Sequence, residues 1–239
     1  MRRDGGLSST PEAWVEHRGG VMQTIAVVAR KGGAGKTTLA VHLAIAGYLR
    51  GIRTLLADSD PQRSASGALK GRTVPGPKLI ETNGPKLFAL HHMARRAGHE
   101  LLVIDTPCGP EQDVAHAMAI ADLTLIVVRP TFLDIAAAVR TTDTARRLGR
   151  PAQILVNQAY AMRQGREPAS VVKALEALRF TNMPICPEVI RMRSSMQTAL
   201  ASGRSVEEYG PSPAEHDMAA LWRHIRLAIF TEHPTLRRA

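Results

Sequence analysis

The stretch "ARKGGAGKTTLA", Ala29–Ala40, decides how the rest of the chain is read. A phosphate-binding loop usually runs G-x-x-x-x-G-K-[ST]. Counted back from Gly35-Lys36-Thr37, its first glycine falls at position 30, where this chain has Arg30, and a second lysine, Lys31, stands beside it. The run before the loop, "TIAVVA" (24–29), is strand-like, and "TTLAVHLAIAGYL" after it is helical. Strand, glycine-rich loop and helix in that order mark a phosphate cradle rather than an ordinary glycine-rich turn. Gly32, Gly33, Ala34 and Gly35 turn the backbone so that amides point inward, and the helix start at Lys36, Thr37 and Thr38 adds its positive dipole end. In that cradle Lys36 reaches the β- and γ-phosphates of ATP, and the Thr37 hydroxyl ligates Mg²⁺.

Working outward, strand-like apolar runs recur at 24–29, 53–57, 100–105, 123–128 and 152–157. Helical patterns separate them at 36–50, 84–98, 111–121, 132–148, 168–180, 194–203 and 213–230. Most of the runs are continuously apolar, as strands covered on both faces must be. The expectation is an α/β fold, a doubly wound, mostly parallel sheet with helices on both faces. Residues 1–21 lack periodicity and read as a tail, with Met22 a possible start codon; 22–231 read as one domain and 232–239 as a second tail.

Two acidic motifs follow the loop. In "LLADSDPQRSAS" (55–66), Asp58 and Asp60 end a buried strand, where they can hold a metal shell or orient an attacking water. Taken alone, D-S-D-P is also a common turn. In "LLVIDTPCGP" (101–110), Asp105 closes an apolar strand in the manner of a Walker B aspartate, and the loop from Thr106 to Gly109 is placed to sense the γ-phosphate.

Lys31-Gly-Gly-Ala-Gly-Lys36-Thr37-Thr38 with "DSDPQ" and "IDTPCG" resembles the deviant Walker A ATPases of the ParA/Soj type, the group that includes MinD. The resemblance implies a P-loop NTPase fold and slow, partner-stimulated ATP hydrolysis in an ATP-sandwiched homodimer. On that pattern Lys36 is the P-loop lysine, Thr37 and Asp105 serve Mg²⁺, Asp58 supports the metal, and Asp60 activates the hydrolytic water. Lys31 matches the signature lysine that reaches the partner subunit's nucleotide. Asn157 resembles the residue that reads adenine, with the loop around Pro187 helping to wall that position; an Asn closing a strand is otherwise a turn cap. Two departures stand out: Arg63 replaces a common glycine, and Cys108 replaces a proline. Arg63 is either a phosphate or partner contact or simply solvated. Cys108 is either a modifiable thiol or a small residue in a tight loop.

Composition bears on partners. The net charge is +10, and 25 of the 31 basic residues are arginine, which favours a polyanion, although an arginine-rich composition alone would raise the charge too. Aromatics are only 4%, against stacking on single strands. The resemblance to partition ATPases implies that this polyanion is non-specific double-stranded DNA, with Arg191, Arg193, Arg204, Arg223 and Arg226 the candidate contacts, and that a ParB-like or cargo-adaptor protein stimulates hydrolysis. A MinD-like membrane-cycling role is the alternative, because "MAALWRHIRLAIF" (218–230) is apolar with basic residues between; packing on the sheet is the reading preferred, so no membrane partner is expected. Two cysteines without a C-x-x-C argue against an iron–sulfur protein. No apolar run reaches the roughly 18 residues of a membrane span. With no export signal legible, a cytoplasmic chain is expected, and the resemblance implies nucleoid association when ATP is bound.

Overall fold

A computed structural model describes residues 21–230. The two expected tails, Val21 apart, lie outside the described residues. Seven strands form one sheet: β1 (Gln23–Val28), β2 (Thr54–Asp58), β3 (Lys78–Glu81), β4 (Leu101–Asp105), β5 (Leu123–Val128), β6 (Ala152–Ala159) and β7 (Ile185–Arg191). Their order is β3-β2-β4-β1-β5-β6-β7, and every pairing is parallel. A parallel ladder needs a crossover between strands; among the described residues six helices supply these, α1 (Lys36–Leu49), α2 (Ser64–Lys70), α3 (Leu87–Arg96), α4 (Glu111–Ile120), α5 (Phe132–Leu148) and α6 (Ala169–Arg179), and two more, α7 (Ser194–Ala201) and α8 (Pro213–Ile229), follow β7.

The five apolar runs read from sequence are β1, β2, β4, β5 and β6. All but β6 are buried over nearly their whole length because helices cover both faces. One core joins α1, α7 and α8 to the sheet and includes Leu39, Leu43, Leu56, Leu101, Leu125, Met218, Leu221 and Trp222. The other face carries α3 to α6 around Leu55, Leu87, Leu102, Ile104, Met118 and Ile126. The edge strands β3 and β7 and the short α2 have no counterpart among the sequence-based elements. "KLIE" and "ICPEVIR" mix charge or proline into short, partly exposed edges, which weakens the apolar signal.

Helix α8 packs on the sheet. Leu221, Trp222 and Ile225 are buried in the core, and Ile229 and Phe230 pack against it. Among the described residues, no helix is long and apolar enough to cross a membrane.

Helix α1 sits so close to the sheet that Gly47 is needed for size. A Cβ there would lie 2.6 Å from Leu101 and 2.8 Å from Thr54. Gly47→Ala, although it raises helix propensity, is expected to destabilise the protein by about 1–3 kcal/mol through overpacking, measured as a lowered midpoint in thermal or urea unfolding.

Candidate nucleotide site

Parallel register brings the site together. Asp105 at the end of β4 is the register partner of both Val27 on β1 and Asp58 on β2. The loop leaving β1 and the acids ending β2 and β4 thus converge on one edge, outside the carboxyl ends of the strands where open α/β sheets bind ligands.

Gly35 caps α1 with φ 94°, a left-handed conformation, and a Cβ there would collide with the Asn157 amide. Lys36 is buried, and its Nζ donates to Cys108 Sγ at 3.0 Å. Lys31, five residues earlier, is exposed and has no acidic group within ion-pair distance among the described residues. Two lysines of one loop thus occupy opposite environments. One turn along α1, burial pushes His42 down to about 4, so its neutral ring meets the Thr38 carbonyl at 2.7 Å.

The three acids differ sharply. Asp58 is fully buried and already engaged: Oδ2 accepts from the Ser66 amide and hydroxyl, both at 2.9 Å, and Oδ1 from the Asp60 amide at 3.2 Å. These bonds bracket the turn from β2 into α2. Asp60 is half-buried; the Gln62 amide holds its Oδ1 at 2.9 Å. Asp105 is fully buried, and neither of its oxygens has a hydrogen-bond partner of ordinary geometry. Burial pushes it up to about 7, Asp58 adds to that, and the Thr37 hydroxyl and Lys36 ammonium draw it partway back. A buried carboxylate without a well-formed hydrogen bond, beside the Thr37 hydroxyl, is the donor set a hard cation needs. Thr37 and Asp105 therefore fit Mg²⁺. Among the described residues, no group of three or more His, Cys, Asp or Glu gathers to hold a metal, so such an ion would take its other ligands from phosphate and water.

Other expected residues are redirected. The Thr106 hydroxyl, expected to sense phosphate, donates instead to the Val27 carbonyl at 2.8 Å. The Asn157 Nδ2 donates to the Ala34 carbonyl at 2.7 Å and so grips the P-loop backbone. Pro187 lies inside β7, where the pairing with β6 shifts register, and not in a loop beside Asn157. Arg63 takes φ 51° at the start of α2, the left-handed geometry that favours glycine. Its guanidinium donates to the Asp58 carbonyl at 2.6 Å and pairs with Glu81. Arg191 is buried against Glu167, and Arg193 pairs with Asp217 at 3.0 Å, so neither is the free surface charge that DNA contact requires. Arg223 and Arg226 are exposed, and Arg204 lies over the Tyr209 ring.

Sequence reasoning missed Gln158. With φ 54° it turns its amide onto the Gly33 carbonyl at 2.8 Å, beside the Asn157 bond to Ala34. A polar pair closing a buried strand next to the P-loop was the available signal. Arg129, whose Nη1 would be 3.6 Å from a Cβ on Gly33, was missed as well.

The profile of the CobQ/CobB/MinD/ParA nucleotide binding domain matches residues 25–206. The chain belongs to this family. A relative in Gloeobacter kilaueensis, maintenance of carboxysome distribution protein A, is 33% identical over 195 residues, covering 78% of this chain and 85% of that protein. Among solved structures, apo McdA from Cyanothece has TM-score 0.72 at 15% identity, covering 85% of this chain and 99% of that one. The cell division ATPase MinD from Pyrococcus furiosus has TM-score 0.70 at 19% identity, covering 86% and 98%. The protein is a ParA/MinD-type P-loop ATPase.

Asp105 yields a pH-dependent prediction. Its folded pKa is raised from 3.8 to about 7, so the native state binds more protons between those values and this group's contribution to stability falls as pH rises through them. Without nucleotide or Mg²⁺, Asp105→Asn is expected to be more stable than wild type at pH 8, by about 1–3 kcal/mol. The gain should be smaller at pH 5.5, where the native Asp105 is protonated but the unfolded one is still ionised, and should vanish only near pH 4, as read by thermal melts across this range.

Proposed function

We propose that this chain is a nucleotide-timed positioning ATPase, dimeric with ATP and monomeric without it, which holds duplex DNA while dimeric. The observation that carries this reading is the contrast within one loop: Lys36 buried beside Asp105, Lys31 exposed and unpaired. Lys36 serves the phosphates of its own subunit, and to do so it must leave the Cys108 thiol. Lys31 serves the neighbour's. Two exposed ammonium groups facing each other without a triphosphate between them repel, so closure depends on the γ-phosphate.

Thr37 and Asp105 would hold Mg²⁺, which when bound neutralises phosphate charge. Asp60 orients the attacking water: the Gln62 amide fixes one of its oxygens, leaving the other for the water proton. Asp58 acts through Asp60, holding its amide and the first turn of α2. Hydrolysis removes the charge that Lys31 bridges, and the dimer opens. Arg204, Arg223 and Arg226, doubled in a dimer, supply phosphate contacts, and a cargo-bound adaptor accelerates turnover. The relative from G. kilaueensis is named for carboxysome distribution, so a protein-complex cargo is as compatible with this cycle as a DNA cargo.

Light scattering with ATP and Mg²⁺ tests the cycle. Wild type should shift from monomer to dimer. Lys31→Ala should bind ATP yet stay monomeric, and Asp60→Ala should accumulate as dimer with hydrolysis lost. A Lys31→Ala protein that dimerises with ATP like wild type would overturn the reading. DNA retention by the dimer should fall steeply with added salt.

A further inference from the structure

The connection from β6 to α6 leaves the sheet on the same carboxyl edge as the P-loop and contains "YAMRQGRE", residues 160–167. Within it, the Arg163 amide donates to the Arg166 carbonyl at 3.0 Å, and the Arg166 amide returns the bond at 2.9 Å. The two residues between them, Gln164 (φ 49°) and Gly165 (φ 73°), are both left-handed. This is the two-residue hairpin turn whose twist matches that of paired strands. Arg163 and Arg166 therefore stand directly opposite each other, with side chains on one face of the ribbon.

Like charges in that position destabilise a hairpin, and nothing nearby relieves them. Both arginines are exposed, and neither has an ion-pair partner among the described residues. The loop's own acid, Glu167, is consumed at the foot of the hairpin. It accepts from Arg191 Nη1 at 2.8 Å, and the same Nη1 donates to the Tyr160 carbonyl at 3.2 Å. Arg191, 9% exposed, thus clasps both ends of the excursion. The hydrogen bonds from Arg191 hold the Glu167 carboxyl below the usual range, so the clasp persists at neutral pH. The foot is fixed and the tip keeps two unneutralised guanidinium groups, a local conflict of the kind that marks a functional element.

We propose that hairpin 160–167 is a phosphate-gripping finger for the backbone of duplex DNA, distinct from the carboxy-terminal arginines. This rests on the DNA-binding reading above. A polyanion cancels the Arg163–Arg166 repulsion, and a guanidinium fork matches phosphate oxygens in bidentate fashion. The net charge of +10 points to the same class of partner.

The test is fluorescence anisotropy of a labelled random-sequence duplex with the full chain, ATP-bound on an Asp60→Ala background, from 50 to 200 mM salt. Arg163→Ala/Arg166→Ala should bind roughly tenfold or more weakly at low salt, and its plot of log affinity against log salt should flatten by about two per engaged protomer. Arg163→Lys/Arg166→Lys should largely restore the slope. ATP-dependent dimerisation and melting temperature should match the background, or the latter should rise as the repulsion is removed. If the background protein binds DNA and the double alanine variant keeps its slope, the finger is overturned while the DNA reading stands. If the variant loses dimerisation with DNA binding, the residues are structural and the finger is overturned. If the background protein retains no duplex at low salt, both fall.

Discussion

A carboxylate at the end of a fully covered strand, with no hydrogen bond of ordinary geometry on either oxygen, is held only because the surrounding sheet leaves it no other place. Asp105 is in that position, in register with Asp58 on one side and Val27 on the other. Two neighbouring acids cannot both ionise cheaply in a dry environment. The fold separates their roles: Asp58 receives three donors from the β2–α2 turn, and Asp105 receives none of ordinary geometry. What remains open is one buried carboxylate beside Thr37 and Lys36, an arrangement completed only by a cation and its anionic ligand. The Lys36 contact with the Cys108 thiol belongs to the same constraint, since a buried ammonium needs a partner.

The loop that presents Lys31 and Lys36 is held from a distance. Asn157 and Gln158, at the end of β6, bind the carbonyls of Ala34 and Gly33. The next residues lead into the hairpin clasped by Arg191. The P-loop, the end of β6 and the arginine-bearing turn are therefore one hydrogen-bonded succession along the carboxyl edge. Arg63 works the same edge from the other side, accepting a left-handed backbone while tying the Asp58 carbonyl to Glu81.

Much of this was legible in the linear chain. The glycine-rich loop between an apolar strand and a helix identified the phosphate cradle, and continuous apolar runs identified five interior strands, because both are local patterns with local physical causes. The helices at 111–121, 132–148 and 213–230 were read almost to their ends for the same reason. The edge strands β3 and β7 and the short α2 were not, since a strand with one partner and one covered face carries little apolar periodicity.

Sequence by itself determined a parallel α/β ATPase core with two lysines in its phosphate loop. Tertiary structure alone decided what each polar group does. Whether Asp58 or Asp105 is left unpaired, whether Asn157 faces a ligand or the Ala34 carbonyl, and whether Arg191 is a surface charge or a buried clasp all depend on partners far away in the chain. Glu167 lies 24 residues from Arg191, and Ala34 lies 123 from Asn157. A side chain's chemistry is written in its identity, but its availability is set by which distant donor or acceptor the fold brings within reach.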